Sequence, residues 1–401
     1  MNRSTTPTAV HRGSPLLLTV LCAPMFLVLL DVLAMNVAMP SLGRAYAIGR
    51  DQWSLLVGAY TVPLAVGLLP AGWLVDRIGP RRVLLGGLLV FAAASMLGAV
   101  GWAWSAVLAA RLLQGLAAAA MLPCRAGSVD HHLDRPAPRA RTLGIWSGVS
   151  AVATAIGPGA GGGLVAAFDW RAVFWIDIPL VLVAVIGTRR LLPERRARSE
   201  HGRPTGPRSL AASVVAAAIM TSGANGTLQV VTVHMQDDLH LAPGPAGTLL
   251  LVGTAPFVIL GPMSGRLVAA RGRRAVAASG FVAGAVGLAT LGRVSGLVGL
   301  VPGLLGIGVG LGLMTAAIVG ETMAAWPARP GLAGGLNNAL RQVGTSAGVA
   351  VGAGLTSGLG DDALLTRTGS VAGLWWLCGA LVVVLGFSRP GTPRGAPMHD
   401  R

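Results

Sequence analysis

The sequence predicts an all-α integral membrane protein of about twelve transmembrane helices in two six-helix bundles, on three observations. Of its 401 residues 53% are hydrophobic and only 11% charged, with a mean hydropathy of +0.68, too little charge for the water-facing surface of a soluble domain of this length. Apolar windows of about 20 residues, enough to cross a hydrocarbon core roughly 30 Å thick, recur along the whole chain. A charged, glycine-punctuated hinge then occurs twice, at Gly72–Arg82 and, worn, at Gly265–Arg274, with two glycines seven apart in each copy and a shift of 193 residues between them. Duplication of a membrane bundle explains that shift economically.

In chain order, the expected spans are 16–39, 53–75, 82–102, 106–127, 142–166, 172–189, 209–235, 245–268, 275–292, 295–318, 332–357 and 370–388. Between the sixth and seventh, residues Arg189 to Arg208 carry seven arginines together with Pro193, Pro204 and Pro207, which break helices. This reads as a basic cytoplasmic linker, 189–208, joining an N-terminal bundle, 1–188, to a C-terminal bundle with a short cytoplasmic tail, 209–401. The two hinges then occupy equivalent places, after the second and the eighth spans.

The net charge of +16 comes from 31 basic residues, all of them arginine. With the N-terminus in the cytoplasm, alternate loops and both tails hold 24 arginines and the opposite loops five, while Arg111 and Arg341 lie within spans. That asymmetry fits the positive-inside rule, so both termini are expected in the cytoplasm and the charge reports topology rather than nucleic acid binding. The first span is too long for a signal peptide, carries Asp31 and has no convincing cleavage site after it. Cys22, Cys124 and Cys378 lie in or near apolar spans without metal-ligand spacing and read as packing residues. His131, His132, His234 and His240 fall near span ends, where an interfacial position is expected.

The first hinge, Gly72-Trp-Leu-Val-Asp76-Arg77-Ile-Gly79-Pro-Arg81-Arg82, fills every position of Gly-x-x-x-Asp-Arg-x-Gly-x-Arg-Arg and resembles the cytoplasmic signature of the major facilitator superfamily. Gly72 allows close helix approach, Gly79 permits a tight turn, and Asp76 can accept hydrogen bonds from backbone or arginine donors. The cluster can latch the cytoplasmic side shut, or Arg77, Arg81 and Arg82 can merely set topology. In the second copy Ala269 and Ala270 stand where Asp76 and Arg77 stand in the first, so the acidic element of such a latch is one-sided.

Leu108-Ala-Ala-Arg111-Leu-Leu-Gln114-Gly115 resembles the fourth-helix motif of the same superfamily. An arginine among apolar residues is costly unless paired or hydrated, which marks Arg111 as functional. Asp31 is its expected partner, because counting 1.5 Å per residue puts Asp31 roughly 12 Å and Arg111 roughly 9 Å below the outer surface. A carboxylate there can carry a proton as its access to water changes, or the pair can be static and structural. The residues around Asp31, from Leu30 to Pro40, resemble the first-helix motif of drug:proton antiporters, particularly a branch that usually has fourteen helices, two more than expected here. Met35 shares the face of Asp31, where its polarizable side chain suits either a tolerant apolar cavity or ordinary packing.

In the fifth span Gly157-Pro158-Gly-Ala-Gly161-Gly162, preceded by Gly144, resembles the motif associated with antiporters, with Ala153 replacing one of its glycines. Small residues and a proline suit a pliant contact. The following Trp170-to-Pro179 segment looks like the family's entry to helix six, where asparagine more often stands at the place of Asp177; a solvated, interfacial Asp177 is expected over a second titrating group. In the second half Ser222, Asn225, Gln229 and Thr232 fall near one face of the seventh span, and Asn338, Arg341 and Thr345 near one face of the eleventh. Polar stripes in lipid turn inward, so Asn225, Gln229, Asn338 and Arg341 are expected, with Met35 and Gln114, to line the substrate cavity. Glu321, near the inner end of span ten, is expected to snorkel rather than take part directly.

No lysine occurs, and hence no Gly-x-x-x-x-Gly-Lys-Ser/Thr phosphate loop, which excludes an ATPase within this chain. No catalytic set, cofactor or metal site is expected. The resemblance implies a secondary transporter of the inner (plasma) membrane that exports small, largely hydrophobic compounds in exchange for protons, with Asp31 as carrier and Arg111 as its charge partner. Its partners would be a small-molecule substrate, protons and the bilayer, and it would work as a monomer. Uptake or uniport of a polar metabolite, and a sensor or assembly partner that kept the fold without transport, remain alternatives.

Overall fold

A computed structural model describes residues 15–48, 53–124, 153, 157, 161–192, 206–235, 239–241, 243–291, 293, 296–356 and 361–387. Lipid offers no hydrogen bonds to a bare backbone, so apolar segments of this length satisfy their own amides as helices. The chain runs α1 (Pro15–Tyr46), α2 (Trp53–Ile78), α3 (Pro80–Val100), α4 (Trp104–Met121), α5 (Ala172–Leu191), α6 (Pro207–Val233), α7 (Pro243–Arg271), α8 (Arg273–Ala289), α9 (Leu297–Ala325), α10 (Pro330–Thr356) and α11 (Asp361–Gly386). Residues 161–167 are also helical, and the described residues contain no strand. Seven of these helices are long and apolar enough to cross a membrane. An eighth span is made by Thr248–Gly261 and Met263–Arg271 if that pair, bent by 53° within α7, is taken together. Most of the fifth expected span, 142–166, lies outside the described residues.

Two compact units divide the chain: Met1–Glu200 with Arg329–Ala339, and His201–Ala328 with Leu340–Arg401. The first unit buries Leu68, Leu84, Leu88 and Phe91 at its centre and a second cluster around Trp170 and Phe174, whose rings meet edge to face at 6.2 Å. In the second unit Trp376 is fully buried and meets Phe281 edge to face at 6.1 Å. Around both cores the helices turn Val62, Val66, Leu182, Val183, Val286 and Leu385 outward, an apolar exterior that suits lipid.

Each hinge breaks its helix pair in the same way. Gly79 precedes α3 with φ 93° and ψ 150°, and Gly272 precedes α8 with φ 81° and ψ 156°. Side chains of L-residues are essentially excluded from that region, so the two glycines hold equivalent turns by the same steric rule.

Candidate functional site

The first unit contains a buried polar network that begins where α4 crosses α2. A Cβ on Gly115 would stand 2.3 Å from the carbonyl oxygen of Tyr60, so the absent side chain sets how near the two helices come. At that distance the Arg111 guanidinium lies over the Tyr60 ring, 4.4 Å from its centroid. One turn along α4, Gln114 shares the same face. Arg111 Nη1 donates to both oxygens of Asp31 on α1, at 2.8 Å each, and to Oε1 of Gln114 at 2.9 Å. The pair expected from matched depth is therefore present, and it is buried, with Asp31 1% and Arg111 3% exposed.

From Gln114 the network continues inward. Its Nε2 donates to Ser95 Oγ on α3 at 2.9 Å and to Asp177 Oδ2 on α5 at 3.2 Å, and Ser95 Oγ donates to the same Oδ2 at 3.0 Å. Asp177 is fully buried, which corrects the expectation of a solvated, interfacial residue. The reason is where α5 starts: with Ala172 already helical, Asp177 lies more than one turn inside and faces α3 and α4. Gln114, expected in the substrate cavity, instead joins the two acids. The Tyr60 hydroxyl, Arg111 Nε and Asp177 Oδ1 are buried without a hydrogen-bond partner among the described residues.

Beside this network lies a small cavity lined by Val32, Met35, Met39, Leu56, Val57, Tyr60, Thr61 and Arg111. Met35 and Met39 thus reach a hollow whose single charged wall is Arg111. The fifth-span glycines pack on the same helix, since a Cβ on Gly157 would stand 2.8 Å from Leu33 Cβ and one on Gly161 2.6 Å from Ala34 Cα. These two glycines therefore meet α1 within one turn of Asp31. Gly162 is half-buried, and Gly144 and Pro158 lie outside the described residues.

At the first hinge, Asp76 Oδ1 accepts from the Gly331 amide at 2.8 Å and Oδ2 from the Leu332 amide at 2.9 Å. These are among the orphan donors of the first turn of α10, and a carboxylate there also meets the positive end of the helix dipole. A Cβ on Gly72 would stand 2.5 Å from the Gly331 carbonyl oxygen, so close approach and capping coincide. The Arg77 guanidinium lies over Trp73 at 5.0 Å, Arg81 Nη2 donates to the Arg189 carbonyl at 2.9 Å, and Arg82 is exposed.

In the second unit Asn225 Nδ2 donates to Thr345 Oγ1 at 3.3 Å, linking α6 to α10, while Ser222 Oγ accepts from Trp375 Nε1 at 2.7 Å. Arg341 is half-buried, with its carbonyl accepting from Thr221 Oγ1 at 2.8 Å, and Gln229 is exposed. Asn338, grouped with the first unit, donates to the Gly334 carbonyl of its own helix at 3.0 Å. Glu321 does not snorkel. It is 1% exposed and bridges two helices, accepting from Ser209 Oγ at 2.6 Å and from Arg273 Nε at 2.8 Å. His234 is likewise buried rather than interfacial, whereas His131 and His132 lie outside the described residues.

Long apolar helices around a buried acid–arginine pair define a polytopic membrane protein. Residues 21–349 match the model of the Major Facilitator Superfamily, and the chain belongs to that superfamily. It is similar to the multidrug resistance protein Stp of Mycobacterium tuberculosis, at 28% identity over 393 residues, covering 82% of this chain and 73% of Stp. Similarity to the tetracenomycin C resistance and export protein of Streptomyces glaucescens is 28% over 429 residues, covering 89% and 79% of the two chains. The crystal structure of the human organic anion transporter MFSD10 (TETRAN) superposes with a TM-score of 0.78 over 92% of this chain and 99% of its own, at 15% identity, a likeness of fold.

Proposed function

We propose that this protein exports small, largely hydrophobic compounds of drug or antibiotic type in exchange for protons, by alternating access. The observation that carries this reading is the buried Asp31–Arg111 pair beside a cavity whose other walls include Met35 and Met39. A sealed carboxylate can take up a proton only when water or another proton carrier reaches it, which makes its occupancy depend on which side is open. Export is supported by the relatives, among them a multidrug resistance protein and a tetracenomycin C resistance and export protein.

In this reading twelve helices form two six-helix bundles, residues 1–188 and 209–401, joined by a cytoplasmic linker at 189–208. Both termini face the cytoplasm of a plasma-membrane monomer. Gly72, Asp76, Arg77, Gly79, Arg81 and Arg82 act as the cytoplasmic gate, with Asp76 releasing the start of α10 when that side opens. Gly144, Gly157, Pro158, Gly161 and Gly162 act as the antiporter motif that keeps the fifth span pliant, and Asn225, Gln229, Asn338 and Arg341 present polar groups to the substrate.

Everted vesicles carrying Asp31→Asn should retain the inserted protein and lose proton-driven accumulation of lipophilic test compounds to the level of empty vesicles. Accumulation at the wild-type rate, still abolished by a protonophore, would remove Asp31 from the coupling step.

A further inference from the structure

The buried network contains two acids and one guanidinium. Asp31 and Asp177 approach from α1 and α5, Arg111 lies on α4, and Gln114 touches both sides of the arrangement. Among the described residues, the other titratable side chain at the site is Tyr60 on α2, under the Arg111 guanidinium, and α3 contributes the hydroxyl of Ser95. Tyr60 is neutral as a phenol, so the charge of the cluster is set by three groups. Arg111 remains protonated and pairs at 2.8 Å with Asp31. If Asp177 were also ionised, the sealed cluster would hold one uncompensated negative charge, an arrangement that a protein interior strongly disfavours.

Hydrogen bonding at Asp177 is lopsided in a way that answers this. Oδ2 receives two donors, from Ser95 and Gln114, while Oδ1 is buried and receives none among the described residues. A carboxylate spreads its charge over both oxygens and leaves a costly buried acceptor if one of them goes unserved. A neutral acid fits better. Its carbonyl oxygen takes the two donors, and its hydroxyl, although it meets no acceptor among the described residues, leaves a neutral group unserved instead of a charged one.

We infer that Asp177 is a second proton site of this transporter, holding the proton while Asp31 is ionised, with Gln114 coupling the two acids through Arg111. The inference deepens the proposed proton exchange and rests on it for its role in transport. When Asp31 takes up a proton its pair with Arg111 is neutralised, and loss of the Asp177 proton leaves a carboxylate to balance the guanidinium across Gln114. One proton is gained at Asp31 from water that reaches it and one is released from Asp177 to water admitted as access changes, so the buried charge stays near zero through the exchange. Gln114 carries no proton. It positions the two acids, accepting from Arg111 at Oε1 and donating to Asp177 from Nε2.

The test is infrared difference spectroscopy on the purified, lipid-reconstituted protein, stepped between mildly acidic and alkaline pH without any substrate. Wild type should show the carbonyl stretch of a buried protonated carboxylic acid at about neutral pH. Asp177→Asn should abolish that band. In Asp31→Asn the same band should disappear at a lower pH than in wild type, because Asp177 becomes the sole counter-ion of Arg111. Ser95→Ala, which removes one donor from Oδ2, should move the band to higher frequency and serves if Asp177→Asn does not yield folded protein. No such band in wild type, a band untouched by Asp177→Asn or Ser95→Ala, or an Asp177 titration unmoved by Asp31→Asn would each overturn the inference. A wild type that moves no protons in vesicles would instead remove the antiport reading, and the infrared band would still decide where the buried proton resides.

Discussion

Tyr60 packs its ring under the Arg111 guanidinium yet leaves its own hydroxyl buried without a partner. An unserved buried hydroxyl is a net cost, whereas the ring contact is favourable, so the two parts of this side chain work against each other. Tyr60→Phe is therefore expected to keep the ring contact and to leave the thermal midpoint of the purified protein equal to wild type or higher by the equivalent of about 1 kcal/mol. Gly115→Ala acts in the opposite direction. It drives a methyl group into the Tyr60 carbonyl and should lower the midpoint by the equivalent of about 1–3 kcal/mol, the usual cost of overpacking. Differential scanning of both variants in the same detergent checks the pair. Asp31 and Arg111 were legible in the sequence because a charge inside an apolar run has few cheap explanations. Asp177, Ser95 and Tyr60 were not. An acid a few residues from a span end resembles an interfacial one until the start of α5 is known, and a lone serine or tyrosine in a span carries no periodic signal.

The hinges are the clearest case of one element built twice. Gly79 and Gly272 share a backbone conformation that a Cβ strains, although nothing lies within 4 Å of a Cβ added to Gly272. The cost of Gly272→Ala is therefore conformational rather than a clash, and we expect about 1–3 kcal/mol of lost stability, with the same loss or more in Gly79→Ala. Urea or heat denaturation of both variants measures it, and a Gly272→Ala protein as stable as wild type would contradict the assigned turn. Spacing alone marked these glycines, since seven residues between matching positions survived where the rest of the motif had worn. What spacing did not reveal is how the second hinge keeps an acid nearby. Its own Ala269 and Ala270 are exposed, but Arg273 reaches Glu321 on α9 at 2.8 Å. The pairing was hidden because 48 residues separate the two, and because an acid near a helix end looks fit to reach solvent unaided.

Helical architecture was readable for a reason that belongs to the solvent: lipid leaves an apolar chain one economical way to satisfy its amides, so hydropathy alone brings out the spans. The polar stripes were harder to place. Stripe reasoning grouped Asn225 with Gln229, and the two share a face one turn apart, yet Asn225 bonds α10 while Gln229 is exposed, since a shared face does not fix what each level of it meets. Within the first unit, Asp31, Arg111, Gln114, Ser95 and Asp177 form one continuous buried chain of ionisable and amide groups. In the second, the described contacts of Ser222, Asn225 and Thr345 are neutral, and the buried acid Glu321 lies at the far end of α9. Serial selection of expressing cells on a new toxic lipophilic compound should accordingly yield substitutions mostly in 209–401, and sequencing of the selected genes counts them.

That uneven distribution of charge has an evolutionary reading. If the proposed proton uptake rests on the first unit, substrate contacts made by the second can change without disturbing it. New resistances would then be acquired by single tolerated steps, whereas a change of driving ion would demand simultaneous rearrangement of four helices.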